Sequence, residues 1–230
     1  MKAIGPPPQP AGYTPSTLGL PTAPSLGNGT KLWLLRHAEV AESWHDKAYG
    51  SKDVPLSETG ALDTKRLAKC FAKIQVDAVL SSSLTRALTM GEHVAEASSA
   101  PLQSTFALRE MDRGDWQGLL KSTFIANWSA EADHYWSDPF RWHTPNGEGD
   151  ELVFARAWPE LERALGEVAG GTLVVTAHGQ LIRVLISRML GLNISESYDY
   201  YPDPAHASLL VDTQDGWQLS SQNLSAEALE

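Results

Sequence analysis

Four side chains of types that can bind and transfer a phosphoryl group each follow a short apolar run: Arg36, His37, Arg86 and His178. A guanidinium is planar and permanently charged, so it can neutralise phosphoryl oxygens through paired hydrogen bonds. An uncharged imidazole can attack phosphorus and carry the group covalently. Because phosphoryl transfer depends mostly on positioning and charge neutralisation, the convergence of these four groups would predict that chemistry.

The surrounding pattern predicts elements that would bring these groups together. Three short runs with apolar centres, at 32–35, 77–81 and 172–176, are typical of buried strands, and the first of them is apolar throughout. Helical patterns between and after them predict an α/β fold, a three-layer sandwich with a mainly parallel central sheet and helices on both faces. The carboxyl ends of parallel strands share one edge of a sheet, where ligands bind. The sequence therefore places all four groups at one edge.

Several local signals set the bounds of these elements. Ser57 has the position of an N-cap, and Gly191 that of the residue after a helix over 180–190. Pro159 predicts a kink or a break in the helix over 151–168. The turn at Asp215-Gly216 predicts a closing hairpin.

Two segments differ from the rest of the chain. Residues 1–30 contain seven of the fourteen prolines, so we interpret them as a flexible arm before a domain over 31–225, with a proline-rich docking ligand at 6–10 as the alternative. Residues 116–143 are rich in aromatic side chains without a strand period. They predict a small helical insert that packs as a sub-core, covers the site as a lid, or does both.

Composition excludes several classes of function. The formal charge of −10 disfavours nucleic acid and anionic membranes as partners, so any pocket for an anion must be locally positive. No run of apolar residues is long enough to span a membrane. The single cysteine, Cys70, fits a reducing compartment, and we expect a cytoplasmic monomer or homodimer.

Five blocks in order resemble the histidine phosphatase superfamily, also called phosphoglycerate-mutase-like. They begin with Arg36-His37-Ala38-Glu39 and continue from Gly50 to Gly60, from Ser81 to Ala87, from Leu108 to Gly118 and from Val174 to Gly179. The resemblance runs through nearly the whole chain from Lys31. It implies a phosphatase that acts on a small phosphorylated metabolite without a metal or another cofactor.

The resemblance also implies roles for individual residues. His37 would be the nucleophile, Arg36 and Arg86 would clamp the phosphoryl oxygens, and His178 would donate to one of them, with the N–H groups that follow it in support. Glu110 would protonate the leaving oxygen, which requires surroundings that favour the protonated carboxyl group. Gly50, Gly179 and Ser43 complete the expected phosphate site. Ser43 stands where many members have an asparagine that helps to hold phosphate, and its single hydroxyl could replace that asparagine only in part.

Two alternatives remain open. A phosphoglycerate mutase must shield its phosphohistidine from water, but Gly147 follows Glu110 by only 37 positions and the family's His-Tyr-Gly run is absent after the acid. A non-catalytic relative would bind phosphorylated ligands without turning them over, yet binding alone needs no acid. Whether His206 or the aromatic insert contacts substrate stays open, as does the identity of that substrate.

Overall fold

The computed structural model describes residues 4–15 and 19–230. The remaining positions, 1–3 and 16–18, belong to the expected arm and lie outside the described residues. Within the described residues, six strands form one sheet in the order β3-β2-β4-β1-β5-β6. They are β1 Lys31–Arg36, β2 Ala78–Ser82, β3 Leu102–Thr105, β4 Thr172–Ala177, β5 Ala207–Thr213 and β6 Gly216–Leu224.

The sheet is mainly parallel, as the sequence predicts. β1 pairs with β4, β4 with β2, and β2 with β3, all in parallel, whereas the hairpin of β5 and β6 adds two antiparallel strands beside β1. β3 is a correction to the sequence prediction, which contains no strand there. Its residues are mostly polar and only partly buried at the edge of the sheet, so no continuous apolar run marks it.

Helices cover both faces of the sheet. They are α1 Glu58–Cys70, α2 Thr85–Ser98, α3 Lys121–Ala130, α4 Ala132–Ser137, α5 Asp150–Glu167, α6 Gly179–Met189, α7 Ile194–Ser197 and α8 Ala226–Leu229. Side chains alternate along β1, so Leu32 and Leu34 pack in the cluster that includes α5 and α6. Trp33 and Leu35 pack on the opposite face with α1 and α2. This arrangement confirms the three-layer α/β sandwich.

Local helix signals are confirmed with one exception. The Ser57 side chain accepts a hydrogen bond from the Gly60 N–H at the start of α1, and Gly191 adopts a positive φ after α6. Pro159 does not split the helix, because α5 runs unbroken through it, and the kink stays a prediction. Ala157, Trp158 and Leu161 are buried beside Pro159, and their packing holds the helix despite the missing N–H.

The aromatic insert forms α3 and α4 and packs mainly on itself. Trp116, Phe124, Trp128, Tyr135 and Trp136 are buried in one cluster with many edge-on ring contacts. The expected sub-core is therefore present. None of the helices in the described chain has the length and apolar character needed to cross a membrane.

The expected flexible arm contacts the domain in its described part. Pro7 and Ala23 are buried, and the Trp217 indole N–H donates to the Pro24 carbonyl at 2.9 Å. Flexibility itself stays a prediction, but the described residues are not a contact-free tail.

Candidate active site

The structure brings the two histidines and two arginines together at the carboxyl edge of the sheet. Arg36 ends β1 and His37 follows it, His178 follows β4, and Arg86 lies in the first turn of α2. The Arg86 Nε lies 3.2 Å from the His37 Nε2, and the two imidazole rings are 5.1 Å apart. All four side chains are buried. Because β1, β2 and β4 are adjacent and parallel, their ends place these groups side by side.

His37 is held as a neutral imidazole whose Nε2 is unprotonated. Its Nδ1 lies 2.7 Å from the Ala38 carbonyl oxygen, which can only accept, so Nδ1 carries the proton and donates. The Nε2 lone pair then accepts from the Arg86 Nε–H. Burial holds the pKa of His37 well below its usual value, and the charges of Arg86 and Arg36 lower that pKa further. A neutral imidazole is the nucleophilic form.

His178 has the opposite arrangement. Ser82 Oγ accepts from the Leu84 N–H and lies 2.8 Å from the His178 Nε2. Because its hydroxyl proton has no other acceptor among the described residues, the hydroxyl donates to that nitrogen. The proton of the neutral ring is then on Nδ1, which is buried without a hydrogen-bond partner among the described residues. Burial holds the pKa of His178 well below its usual value, with Arg86 as the next cause. His178 therefore has a buried N–H available for an acceptor.

The two guanidiniums are fixed by main-chain carbonyls. Arg86 donates to the Lys52 carbonyl at 2.7 Å and to the Gly50 carbonyl at 2.9 Å, in addition to His37. Arg36 donates to the Pro202 carbonyl at 2.7 Å, and its buried Nε has no partner among the described residues. Buried polar atoms nearly always have a partner, so Arg36 Nε and His178 Nδ1 could each donate to an oxygen of a bound ligand.

Glu110 lies at the amino end of α6. Its carboxylate accepts from the backbone N–H groups of Met111, Gln180 and Leu181 at 2.9 to 3.2 Å. Two of the N–H groups after His178 are therefore bonded to Glu110, and the support of a phosphate by the dipole of this helix stays a prediction. A carboxylate at a helix amino end satisfies N–H groups that have no partner within the helix.

The glycines and Ser43 differ in what the structure shows for them. Gly50 lines the cavity with a positive φ, and a Cβ there would meet the Met111 carbonyl oxygen at 2.9 Å. A Cβ on Gly179 would lie 2.3 Å from the Tyr201 hydroxyl, so glycine is needed for that close approach. Ser43, by contrast, is exposed in a short turn and does not line the cavity. The structure thus gives no contact that supports its expected role.

A cavity opens beside Arg36, and we call it the Arg36 cavity. His37, Arg86 and His178 do not line it. Its lining includes Glu110 and four cations: Arg36, Lys47, Arg113 and Lys121. This local excess of positive charge is what an anion site needs in a chain with a net charge of −10. The remaining lining residues are Ile4, Ala48, Tyr49, Gly50, Phe124, Gln180 and Tyr201.

Several of these residues were missed by the sequence analysis. Lys47, Arg113 and Lys121 come from separate segments, and a lysine or arginine in a loop or on a helix gives no signal of its own. Tyr49 and Tyr201 place their rings about 5 Å from the guanidiniums of Arg86 and Arg36, respectively. His206 does not line this cavity, since its ring lies near the Pro204 carbonyl on another surface depression. From the aromatic insert, Lys121 and Phe124 reach the cavity.

Comparison with known proteins gives the family. The model of the histidine phosphatase superfamily (branch 1) matches residues 32–225. A 2,3-bisphosphoglycerate-dependent phosphoglycerate mutase from Mesorhizobium japonicum is 32% identical over 167 residues, which cover 70% of this chain and 81% of the mutase. A glucosyl-3-phosphoglycerate phosphatase from Mycolicibacterium vanbaalenii is 30% identical over 171 residues, which cover 71% of this chain and 76% of that enzyme.

A solved structure is similar over nearly its full length. The complex of a mycobacterial glucosyl-3-phosphoglycerate phosphatase with inorganic phosphate has a TM-score of 0.73 and 27% identity, covering 86% of this chain and 98% of that chain. Both the family model and the fold span the segment that carries the site. The resemblance seen in the five sequence blocks is thereby confirmed, and the chain belongs to the histidine phosphatase superfamily (branch 1).

Proposed function

We propose that this protein hydrolyses phosphate monoesters of small metabolites through a phosphohistidine at His37. One observation carries the proposal: the His37 Nδ1–H is held by a backbone carbonyl, so that Nε2 carries its lone pair beside the Arg86 guanidinium, 3.2 Å away. A nucleophile fixed in one tautomer next to a permanent cation suits in-line attack on an anionic phosphoryl group.

The first half-reaction forms the phosphoenzyme. His37 Nε2 attacks phosphorus while the bond from phosphorus to the ester oxygen breaks. Arg36 and Arg86 neutralise the phosphoryl oxygens, and the unpartnered N–H of His178 donates to one of them. Glu110, in its protonated form, gives its proton to the departing alkoxide.

The second half-reaction restores the enzyme. A water molecule attacks the phosphorus of phosphohistidine and passes one proton to the Glu110 carboxylate. The bond between phosphorus and nitrogen breaks, inorganic phosphate leaves, and His37 becomes a neutral imidazole again. The chain's own side chains perform each of these steps, so we propose a reaction that needs no metal ion.

Phosphoglycerate mutase activity is the second candidate, because the relatives of similar identity include mutases. Hydrolysis is favoured by the short stretch between Glu110 and Gly147 and by Arg113, which stands within the segment where mutases have their His-Tyr-Gly run. A shorter stretch between Glu110 and Gly147 would cover the phosphohistidine less completely, so that water could reach it more easily.

The test is a panel of phosphate monoesters, including phosphoglycerates and phosphoserine, assayed for phosphate release with mutase activity measured in parallel. We expect steady phosphate release that is lost in His37→Ala. His206→Ala is the matched control, since it removes the same side chain outside the Arg36 cavity and should keep wild-type rates. Isomerisation of phosphoglycerate without phosphate release would instead favour the mutase, and binding without turnover would favour a non-catalytic relative.

A further inference from the structure

The proline-rich arm docks on the aromatic insert of its own chain. We use the name docking segment for residues 4–13. The Trp128 indole N–H donates to the Gly5 carbonyl at 3.1 Å, and the Trp136 indole N–H is shared between the Pro7 and Pro8 carbonyls at 3.1 and 3.0 Å. Both tryptophans are buried, so each has its N–H satisfied by the docking segment.

Apolar contacts accompany these hydrogen bonds. The Tyr13 ring lies 4.6 Å from the Trp136 ring, and Ile4 and Tyr13 pack against the aromatic cluster of the insert. Pro7 is buried. Proline-rich segments bind aromatic grooves in this way, because little conformational entropy is lost and tryptophan N–H groups can bind the exposed carbonyls. The docking ligand that the sequence allowed at 6–10 thus has an intramolecular partner.

The docking segment also reaches the Arg36 cavity. Ile4 lines that cavity together with Phe124 and Lys121 of α3. Ile4 and Phe124 form an apolar part of a lining that also contains four cations, Glu110, Ala48, Tyr49, Gly50, Gln180 and Tyr201. The phosphoryl group belongs beside Arg36, so the apolar part is left for the alcohol portion of an ester.

We propose that Ile4, held in place by the docking segment, determines substrate specificity by forming with Phe124 an apolar wall for a ring or hydrocarbon portion of the leaving group. The proposal rests on the proposed function in that it takes a phosphate monoester as the occupant of the cavity. It adds a substrate class, esters whose alcohol has an apolar part, and it assigns a role to a segment outside the residues that the family model matches.

The test measures binding, so that it is independent of turnover. Titration calorimetry of the full chain with inorganic phosphate and with benzylphosphonate separates the phosphoryl site from the apolar wall. We expect wild type to bind benzylphosphonate more tightly than phosphate. Ile4→Ala should weaken benzylphosphonate binding about fourfold, which corresponds to the loss of roughly one buried methylene group. The affinity for phosphate should stay within about twofold of the wild-type value.

Two further variants test whether docking positions Ile4. Trp136→Phe keeps an aromatic ring but removes the N–H that binds Pro7 and Pro8, so it should weaken benzylphosphonate binding in the same direction as Ile4→Ala. Trp217→Phe is its matched control, because it removes the same kind of bond to Pro24, which lines a different cavity. Gln9→Ala is the control within the docking segment, since Gln9 is exposed. Both controls should bind like wild type.

The outcomes separate this inference from the proposed function. No preference for benzylphosphonate in wild type, or equal weakening of both ligands in Ile4→Ala, would overturn the apolar wall even if phosphate esters are hydrolysed. Absence of turnover on every ester, with the expected binding pattern intact, would overturn the proposed hydrolysis and leave the role of Ile4 standing. If Trp136→Phe does not fold, Ile4→Ala decides alone, because Ile4 is only half-buried in the docking segment.

Discussion

The neutrality of the two buried imidazoles predicts how the stability of the protein depends on pH. His37 and His178 are 2% and 0% exposed, and burial, reinforced by Arg86, holds the pKa of each well below its usual value of 6.5. In the unfolded chain both rings titrate near 6.5. Below that pH the unfolded state binds protons that the folded state does not, so stability must fall as the pH falls. Above about pH 7.5 the two histidines have no such effect.

The size of the effect follows from the unfolded pKa. For a ring that stays neutral in the folded state, protonation of the unfolded chain between pH 7.5 and 5.5 lowers the free energy of unfolding by about 1.4 kcal/mol. The two rings together give about 2.7 kcal/mol over that range. Urea unfolding followed by tryptophan fluorescence at pH 5.5, 6.5 and 7.5 measures this directly.

Variants assign the effect to the two rings. In His178→Gln or His37→Gln the loss of stability between pH 7.5 and 5.5 should shrink by about 1.4 kcal/mol relative to wild type. Thr176→Val is the control, since Thr176 is buried and donates to Ser81 but does not titrate. It should lower stability by the same amount at every pH. If His178→Gln kept the full wild-type pH dependence, the neutral folded imidazole would be refuted.

Three further predictions concern charge at and near the site. Arg86→Lys should lower kcat/KM about 10²- to 10³-fold in steady-state assays, because lysine lacks the planar guanidinium whose N–H groups bond two carbonyls and His37 in fixed directions. A loss below tenfold would contradict this role. Asp150→Asn should lower the free energy of unfolding by about 3–5 kcal/mol, since it leaves the buried Arg183 without its charge partner. An unchanged midpoint in urea unfolding would contradict this contribution of the pair to the stability of the fold. EDTA should leave phosphate release unchanged, and a loss restored by zinc or magnesium would contradict the proposed reaction.

The sequence predicted the parts of the site that depend on strand order. Short, largely apolar runs identify strands buried on both faces, and three of them end next to the residues to which we assign the proposed chemistry. The topology of the sheet therefore brings together Arg36, His37, Arg86 and His178. This was predictable from the sequence motifs and from the rule that ligands bind at the carboxyl ends of parallel strands. Ser57 and Gly191 were predictable because their effect is local.

Features that depend on tertiary packing were not predictable in the same way. Lys47, Arg113 and Lys121 meet at one cavity although their loops and helix carry no periodic signal. The hydrogen bonds from the Gln180 and Leu181 N–H groups to Glu110 were not predictable, because the sequence does not show that this carboxylate reaches the start of α6. From composition alone, residues 1–30 are predicted to bury little surface. Composition does not show that another part of the chain offers a complementary aromatic surface.

A crystal structure with orthovanadate would test the central claim most directly, because vanadate can take the geometry of a phosphoryl group in transfer. We expect vanadium bonded to the His37 Nε2, with Arg36, Arg86 and His178 donating to its oxygens and Glu110 beside the oxygen opposite His37. Vanadate bound away from His37, or bound there without contact to either guanidinium, would contradict it.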